Sequence, residues 1–350
     1  MSLRGLRIAV LIAALSVLQV GAASPAGAGP TLYLVDSQFG NLVTRIFEVE
    51  ASTGALTVRG DLGTAYTPLL GLAAASRLVL YASGTDTSSS DLCAGNFACL
   101  LMRVELDPLS TLPAALTVVG PLTENGLTLG GITGLSFRRD GKLYAISQDT
   151  DGLYAVDTTT AVATRLATVD IDLHGGDFTF DAEDRLWLWT NLGEATGLYQ
   201  VDPATGHATL SDLQPFLDMS GLAAVGHTND LRSVSPVSDD LYPIDPLAGL
   251  AGDGLPLTLA GSPFDHRRGD LDSPFCEADS SCDDGDACTA DRCTPGGCAH
   301  PAIPNCCHTD AECGRVARCL VPRCIDHACS AGWSVACGPA PLPARPPLVN

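Results

Sequence analysis

Short runs of four to six apolar residues, punctuated by Asp-Gly, Thr-Gly and Asp-Pro pairs, fill the chain from about residue 30 to 272. They alternate with polar residues or are wholly apolar, the patterns of half-buried and fully buried strands, and helical spacing is almost absent. The clearest unit reads Gly134-Leu135-Ser136-Phe137, the turn Asp140-Gly141, Leu143-Tyr144-Ala145-Ile146, Leu153-Tyr154-Ala155-Val156-Asp157 and Ala163-Thr164-Arg165-Leu166. It returns as Asp177-Phe178-Thr179-Phe180, Leu186-Trp187-Leu188-Trp189, Leu198-Tyr199-Gln200-Val201-Asp202-Pro203 and His207-Ala208-Thr209-Leu210. A third copy runs Gly221-Leu222-Ala223-Ala224, Leu231-Arg232-Ser233-Val234, Leu241-Tyr242-Pro243-Ile244-Asp245-Pro246 and Leu257-Thr258-Leu259-Ala260. Leu135, Phe178 and Leu222 mark steps of 43 and 44 residues. An earlier copy, from Gly71-Leu72 to Val119, is longer because residues 84–99 read as an inserted loop carrying Cys93 and Cys99.

Four short strands at a period of 40 to 45 residues are the pattern of a β-propeller blade. The first unit, from Leu32-Tyr33-Leu34-Val35 to Leu56-Thr57-Val58, lacks its opening strand, and Gly269-Asp270-Leu271-Asp272 has the form of an opening strand with nothing after it. Pairing the two closes the ring and removes two exposed sheet edges. The expected fold is all-β: a propeller of about five blades over residues 29–275, followed by two small disulfide-rich modules. The blade motif, with Leu-Tyr-x-Val-Asp-Pro-x-Thr-Gly at 198–206, resembles the repeats of secreted bacterial propellers of the quinoprotein-like and WD40-like (YVTN-type) superfamily. The resemblance spans about 240 residues and implies the fold; no cofactor or catalytic signature of the superfamily's enzymes accompanies it.

The tail follows a different period. Cys276, Cys282, Cys288, Cys293, Cys298 and Cys306 are followed at once by Cys307, Cys313, Cys319, Cys324, Cys329 and Cys337, both sets spaced C-x5-C-x5-C-x4-C-x4-C-x7-C. A 31-residue module is therefore duplicated, at 276–306 and 307–337, ahead of a Pro-rich tail at 338–350. Residues 282–293 resemble the Cys-Thr-Asp-Cys repeats of slime-mould extracellular matrix proteins and of bacterial surface proteins; in the second module only the cysteine frame matches. No C-x2-C pair occurs, and modules this poor in apolar residues need staples, so disulfides are expected in place of zinc. Each module is expected to close on itself with three bonds, and Cys93 to pair with Cys99, the connectivity within modules being left open among 15 pairings.

Residues 1–28 have the order of a secretory signal: Arg4 and Arg7, an apolar run over 8–17, then small residues with cleavage expected after Ala23 or Ala28. The run is shorter than the roughly 20 residues that span a bilayer, so no membrane insertion is expected after cleavage. Forty acidic against 19 basic residues, a net charge of −21 and a single lysine, Lys142, exclude a nucleic-acid partner.

Chemistry is thinly signalled. Asp177 and Asp270 open two innermost strands, with His174 and His266 nearby, and form a candidate site for Ca2+ or another divalent cation at the channel mouth; capping of blade turns is the plainer reading. Asp283, Asp284 and Asp286 read as a solvated acidic turn, Trp187 and Trp189 as core, and the triplets Arg59-Gly60-Asp61 and Arg268-Gly269-Asp270 as strand or turn. No nucleophile elbow, Walker loop or dinucleotide loop is present. These features point to a secreted, extracellular or cell-surface protein, a non-catalytic binding or matrix component whose partner is an extracellular protein or glycan. The alternative is a metal-dependent propeller lactonase or lyase acting at the channel mouth.

Overall fold

The computed structural model describes residues 31–333 apart from 38–42, 65–67, 86–92, 94–95, 108–113, 192, 215–216, 248, 251, 277–278, 284, 295–296 and 315–319. The expected signal segment and the Pro-rich tail lie outside the described residues. Among the described residues no helix is long and apolar enough to cross a membrane.

Residues 31–272 form a five-bladed β-propeller of antiparallel sheets. The second blade runs outward through Leu69–Ala74, Val79–Gly84, Leu100–Glu105 and Ala115–Pro121. The third uses Ile132–Phe137, Leu143–Ser147, Gly152–Val156 and Ala163–Thr168, and the fourth Asp177–Phe180, Leu186–Thr190, Gly197–Val201 and Ala208–Leu213. Burial falls off along each blade. Innermost strands are buried on both faces and read as continuous apolar or small residues, whereas an outer strand such as Ala163–Thr168 alternates buried and exposed positions.

The first blade is built from both ends of the propeller. Gly269–Asp272 lies innermost, paired antiparallel with Thr31–Asp36 in the register Asp36↔Gly269 to Tyr33↔Asp272, and Thr44–Glu50 and Ala55–Gly63 follow outward. This is the closure expected from the sequence. The fifth blade departs from expectation at its edge. Its outer positions are Gly249–Leu250 and Leu255–Pro256, while Thr258–Leu259, expected there, pairs in parallel with Ala55–Leu56 of the first blade. The chain must travel from the rim of the fifth blade to the centre of the first. Leu257, 1% exposed among residues of both blades, pins the crossing, and Thr258 N–H donates to Gly54 O at 3.0 Å.

Five core clusters fill the five blade-to-blade interfaces. Between the third and fourth blades, Tyr144 and Ile146 meet Phe178, Phe180 and Leu188; between the fourth and fifth, Trp187 and Trp189 meet Leu222 and Leu231. Both tryptophans are 1% exposed, so this aromatic pair is core. Arg59 of the first Arg-Gly-Asp triplet sits in an outer strand and pairs with Glu48 at 3.0 Å. A ring of only five blades has a tight centre. A Cβ on Gly221 would strike the backbone at Leu271, and one on Gly134 would strike the Asp177 carboxyl, which explains small residues on these innermost strands.

The cysteine-rich segment begins where the closing strand leaves the ring. Phe275 donates its N–H to Ala74 O at 2.6 Å and stacks on Phe137 at 6.0 Å, beneath the ends of the innermost strands. Disulfides join Cys276–Cys293, Cys282–Cys298 and Cys288–Cys306, then Cys307–Cys324 and Cys313–Cys329. The two described bonds of the second set repeat those of the first at an offset of 31 residues, and no described bond crosses the junction. Cys319 and Cys337 lie outside the described residues. Each set is folded about a small hairpin, Arg292–Thr294 with Gly297–Ala299 and Leu320–Ile325 with Ala328–Trp333. The duplication extends to a hydrogen bond: Cys293 N–H donates to Asp279 at 2.8 Å, and Cys324 N–H to Asp310 at 2.7 Å. In the inserted loop, Cys93 and Cys99 are joined, with Cα atoms 5.5 Å apart.

Candidate functional site

All five innermost strands enter the ring from the same face, and their entry points surround a pocket of about 390 Å³. The second blade contributes Leu70 and Phe97, the third Thr133 and Gln148, the fourth His174 to Gly176 with Asn191, the fifth Asp218 to Ser220 with Pro236, and the closing segment Arg267 to Gly269. The size lies within the range of small-ligand sites. Asn191 braces the rim, its side chain donating to Gly175 O and Met219 O at 2.7 Å each and accepting Met219 N–H at 3.0 Å. Thr133 is 7% exposed, and its Oγ1 has no protein partner.

Asp177 and Asp270 do come together, one residue below the lining positions Gly176 and Gly269, and they are 2% and 0% exposed. Their oxygens serve the ring. Asp270 accepts Leu72 N–H at 2.5 Å and its neighbour's Leu271 N–H at 2.7 Å; Asp177 accepts Leu222 N–H at 2.6 Å. Two residues further along, Asp272 accepts Ala74 N–H at 2.7 Å and Thr179 Oγ1 accepts Ala224 N–H at 3.2 Å. The first and fourth blades thus each offer an i, i+2 pair of acceptors to inward-facing amides of the next blade, which no sheet ladder can satisfy. Burial in this enclosed centre pushes the Asp177 carboxyl up to about 7 and raises Asp270 well above the usual carboxylate range, the adjacent Asp177 charge adding to the second shift. Burial likewise raises Asp272. The pair is joined side chain to side chain, and Asp177 Oδ1 has no N–H or O–H partner unless Asp270 is protonated.

The two histidines named with them part company. His174 is exposed on the pocket wall, whereas His266 is 0% exposed behind it. His266 Nδ1 lies 3.1 Å from Asp36 Oδ1, and its Nε2 lies 2.9 Å from the hydroxyl of Ser220, which lines the pocket. Asp36 Oδ1 also accepts Arg267 N–H at 3.1 Å, and Asp239 fixes the His266 backbone by accepting its N–H at 2.8 Å. This Ser220–His266–Asp36 chain has no sequence signature, because its members lie 46 and 230 residues apart. The register Asp36↔Gly269 of the closing strand is what brings them together.

At the opposite end of the channel, His227 has a left-handed backbone (φ 51°) and meets the edge of Phe275 at 5.2 Å; burial pushes its imidazole down to about 4. In the tail, Asp283 accepts Gly285 N–H at 2.9 Å, and Asp286 accepts Cys288 N–H at 2.7 Å and lies 3.0 Å from His308 Nε2. Asp284 lies outside the described residues.

No family model and no curated protein matches the chain. Among solved structures, the chain is similar to a chain of a nidogen/laminin complex, with 13% identity, 70% of this chain and 98% of that chain covered, and a TM-score of 0.43. It is also similar to the PQQ-bound aldose sugar dehydrogenase of Streptomyces coelicolor, with 18% identity, 65% and 81% covered and a TM-score of 0.40. A catalytically inactive virginiamycin B lyase from Staphylococcus aureus, solved with quinupristin, gives 12% identity, 68% and 74% covered and a TM-score of 0.38. These neighbours are β-propeller proteins.

Proposed function

We propose that the protein is exported and serves as an extracellular or cell-surface binding or matrix protein. The propeller is the rigid disc that presents its channel mouth to a ligand, and the cysteine modules are an appendage on the other face. The observation that carries this reading is the contrast along the channel. The mouth is open, lined by apolar and polar side chains together and built by all five blades, while the carboxylates beneath it are buried and committed to backbone amides. The disulfides fit an oxidising compartment, and the leader-like residues 1–28 support export. In a chain of net charge −21, the mouth carries Arg268 and Arg267, the latter paired with Asp265, beside Asp218, and this basic pair supports an anionic group on an extracellular protein or glycan as the ligand. The metal-dependent lactonase or lyase reading needs Asp177 and Asp270 ionised around an open coordination position, and burial favours the proton on both.

The test is binding of the full chain to an array of immobilised acidic and neutral polysaccharides and extracellular proteins. Saturable binding that persists in EDTA and is lost in the Arg267→Ala/Arg268→Ala double variant is expected. Turnover of a lactone panel that requires a divalent ion and disappears in Asp177→Asn would replace this reading with the enzymatic one.

A further inference from the structure

Acyl transfer by a side-chain hydroxyl needs three groups in series. The hydroxyl must reach substrate, an imidazole nitrogen must be close enough to take its proton, and an acceptor on the other ring nitrogen must orient the ring and stabilise the cation that forms. The channel mouth contains this series. Ser220 Oγ to His266 Nε2 is 2.9 Å and His266 Nδ1 to Asp36 Oδ1 is 3.1 Å, both within the reach proton transfer requires. A carboxylate only accepts, so Nδ1 carries the ring proton and Nε2 is left to accept from Ser220. The order from the pocket is also the productive one: Ser220 lines the pocket, His266 is fully buried behind it, and Asp36, 6% exposed, stands on the far ring nitrogen.

Other buried serines of the ring show what a structural serine does here. Ser83 donates to Ile132 O at 2.8 Å, Ser147 to Gly130 O at 2.8 Å and Ser233 to Gly221 O at 2.5 Å. Ser220 Oγ faces an imidazole nitrogen in place of a carbonyl. The pocket it opens into also carries the unpartnered Thr133 hydroxyl, a donor of the kind a developing oxyanion needs, and is lined by Arg268 and by Arg267, whose guanidinium pairs with Asp265.

We propose that Ser220 is a nucleophile, with His266 as its general base and Asp36 as a positioning residue, and that the channel mouth hydrolyses small carboxylic esters. This goes beyond the binding reading. Ser220 Oγ attacks the ester carbonyl carbon while its proton passes to His266 Nε2. The bond to the alcohol oxygen then breaks, and His266 returns the proton to the departing alcohol, leaving an acyl-Ser220 ester. Water, deprotonated by the same nitrogen, attacks the acyl carbon; the carboxylic acid leaves and the serine hydroxyl is restored.

The experiment treats the full chain with diisopropyl fluorophosphate, follows the intact mass, and maps the adduct by peptide analysis. One adduct on Ser220 is expected, absent from Ser220→Ala, whose melting temperature serves as the folding control. His266→Gln and Asp36→Asn should slow labelling ~100-fold or more. With p-nitrophenyl acetate, Asp36→Asn should lower kcat and leave KM unchanged, a split that a merely structural carboxylate would not produce. No adduct at saturating reagent, an adduct that survives Ser220→Ala, or ester turnover indifferent to Ser220→Ala would each overturn the proposal. Because Ser220→Ala removes a single oxygen, the labelling result is decisive even if the histidine variant fails to fold. Binding to the array is a separate readout, so failure of the hydrolytic proposal and failure of the binding reading are distinguishable.

Discussion

In the ring, Trp187, Trp189, Tyr33, Tyr154, Phe178 and a long series of leucines are fully buried; from Cys276 onward, the only buried side chains among the described residues are Cys276, Cys282, Cys307 and Cys313. Ile303 and Ile325 of the tail stay 41% and 53% exposed. The propeller is thus held by apolar area removed from water, at about 25 cal/mol per Å². The tail is held by bonds that restrict its unfolded chain. The two kinds of repeat carry different failure modes. A blade depends on its neighbours and on ring closure, whereas a cysteine module depends on its redox state.

Several measurements press on that contrast. The largest effect is expected from removing the closing strand. A chain truncated after Ser262 loses Gly269–Asp272 together with the Asp270 and Asp272 acceptors, and should melt more than about 10 °C below a chain truncated after Phe275, or associate through its open edge. Equal melting and monomeric behaviour of the two would show that closure contributes little.

Reduction should do the opposite. Each described tail bond closes a loop with a sequence separation of 16 to 18 residues and contributes roughly 3 kcal/mol in the chain-entropy model, so dithiothreitol should open the tail while the ring still melts cooperatively. Protease sites after reduction should fall beyond residue 275. Cuts within the blades, outside the inserted loop that Cys93–Cys99 closes, would mean that the tail supports the ring.

The ring's buried carboxyls give it a pH dependence of its own. A carboxyl whose folded pKa exceeds its unfolded value keeps its proton where the unfolded chain has lost it, so its contribution is fully present at and below the unfolded value of 3.8 and falls as pH rises toward the folded value. For Asp177 the fall extends to about 7, and Asp270 and Asp272 act in the same direction. His227, pushed down to about 4, opposes them by costing stability as pH falls below the ordinary histidine value of 6.5. Denaturant midpoints between pH 4 and 8 should therefore decline with pH in the parent chain and flatten in Asp177→Asn, which retains an acceptor for Leu222 N–H. An unchanged slope in the variant would remove Asp177 from the account.

The smallest effect tests whether the modules are energetic copies. Asp279→Ala and Asp310→Ala each delete one carboxylate bond to a hairpin amide and should cost about 1 kcal/mol apiece, read as faster hydrogen exchange at Cys293 and Cys324 respectively. Unequal losses would show that the second module's different loop has shifted the load.

Strand order within a blade was legible because alternation and turn pairs are local, and the ring closure was legible because one unit lacked a strand that the chain supplied at its other end. The crossing of Thr258–Leu259 to the first blade was not. Its apolar-polar pattern suits either edge, and only the burial of Leu257 between two blades selects one. The role of Asp177 and Asp270 was half legible. Their positions at the innermost strands followed from the repeat, but which oxygens face amides of the next blade depends on how five sheets rotate around one axis.

By itself the sequence determined the period of the blades, the cysteine frame and the acidic character, since each of these is written in spacing or composition over a few tens of residues. Tertiary structure alone decided the pairing of Cys276 with Cys293 and Cys282 with Cys298, the shared burial of Asp177 and Asp270, and the assembly of Asp36, Ser220 and His266 at the mouth. Residues 230 positions apart carry no mutual signal along the chain. They become neighbours because closing the ring satisfies the open edges of the first blade, and the geometry of the mouth follows from that closure.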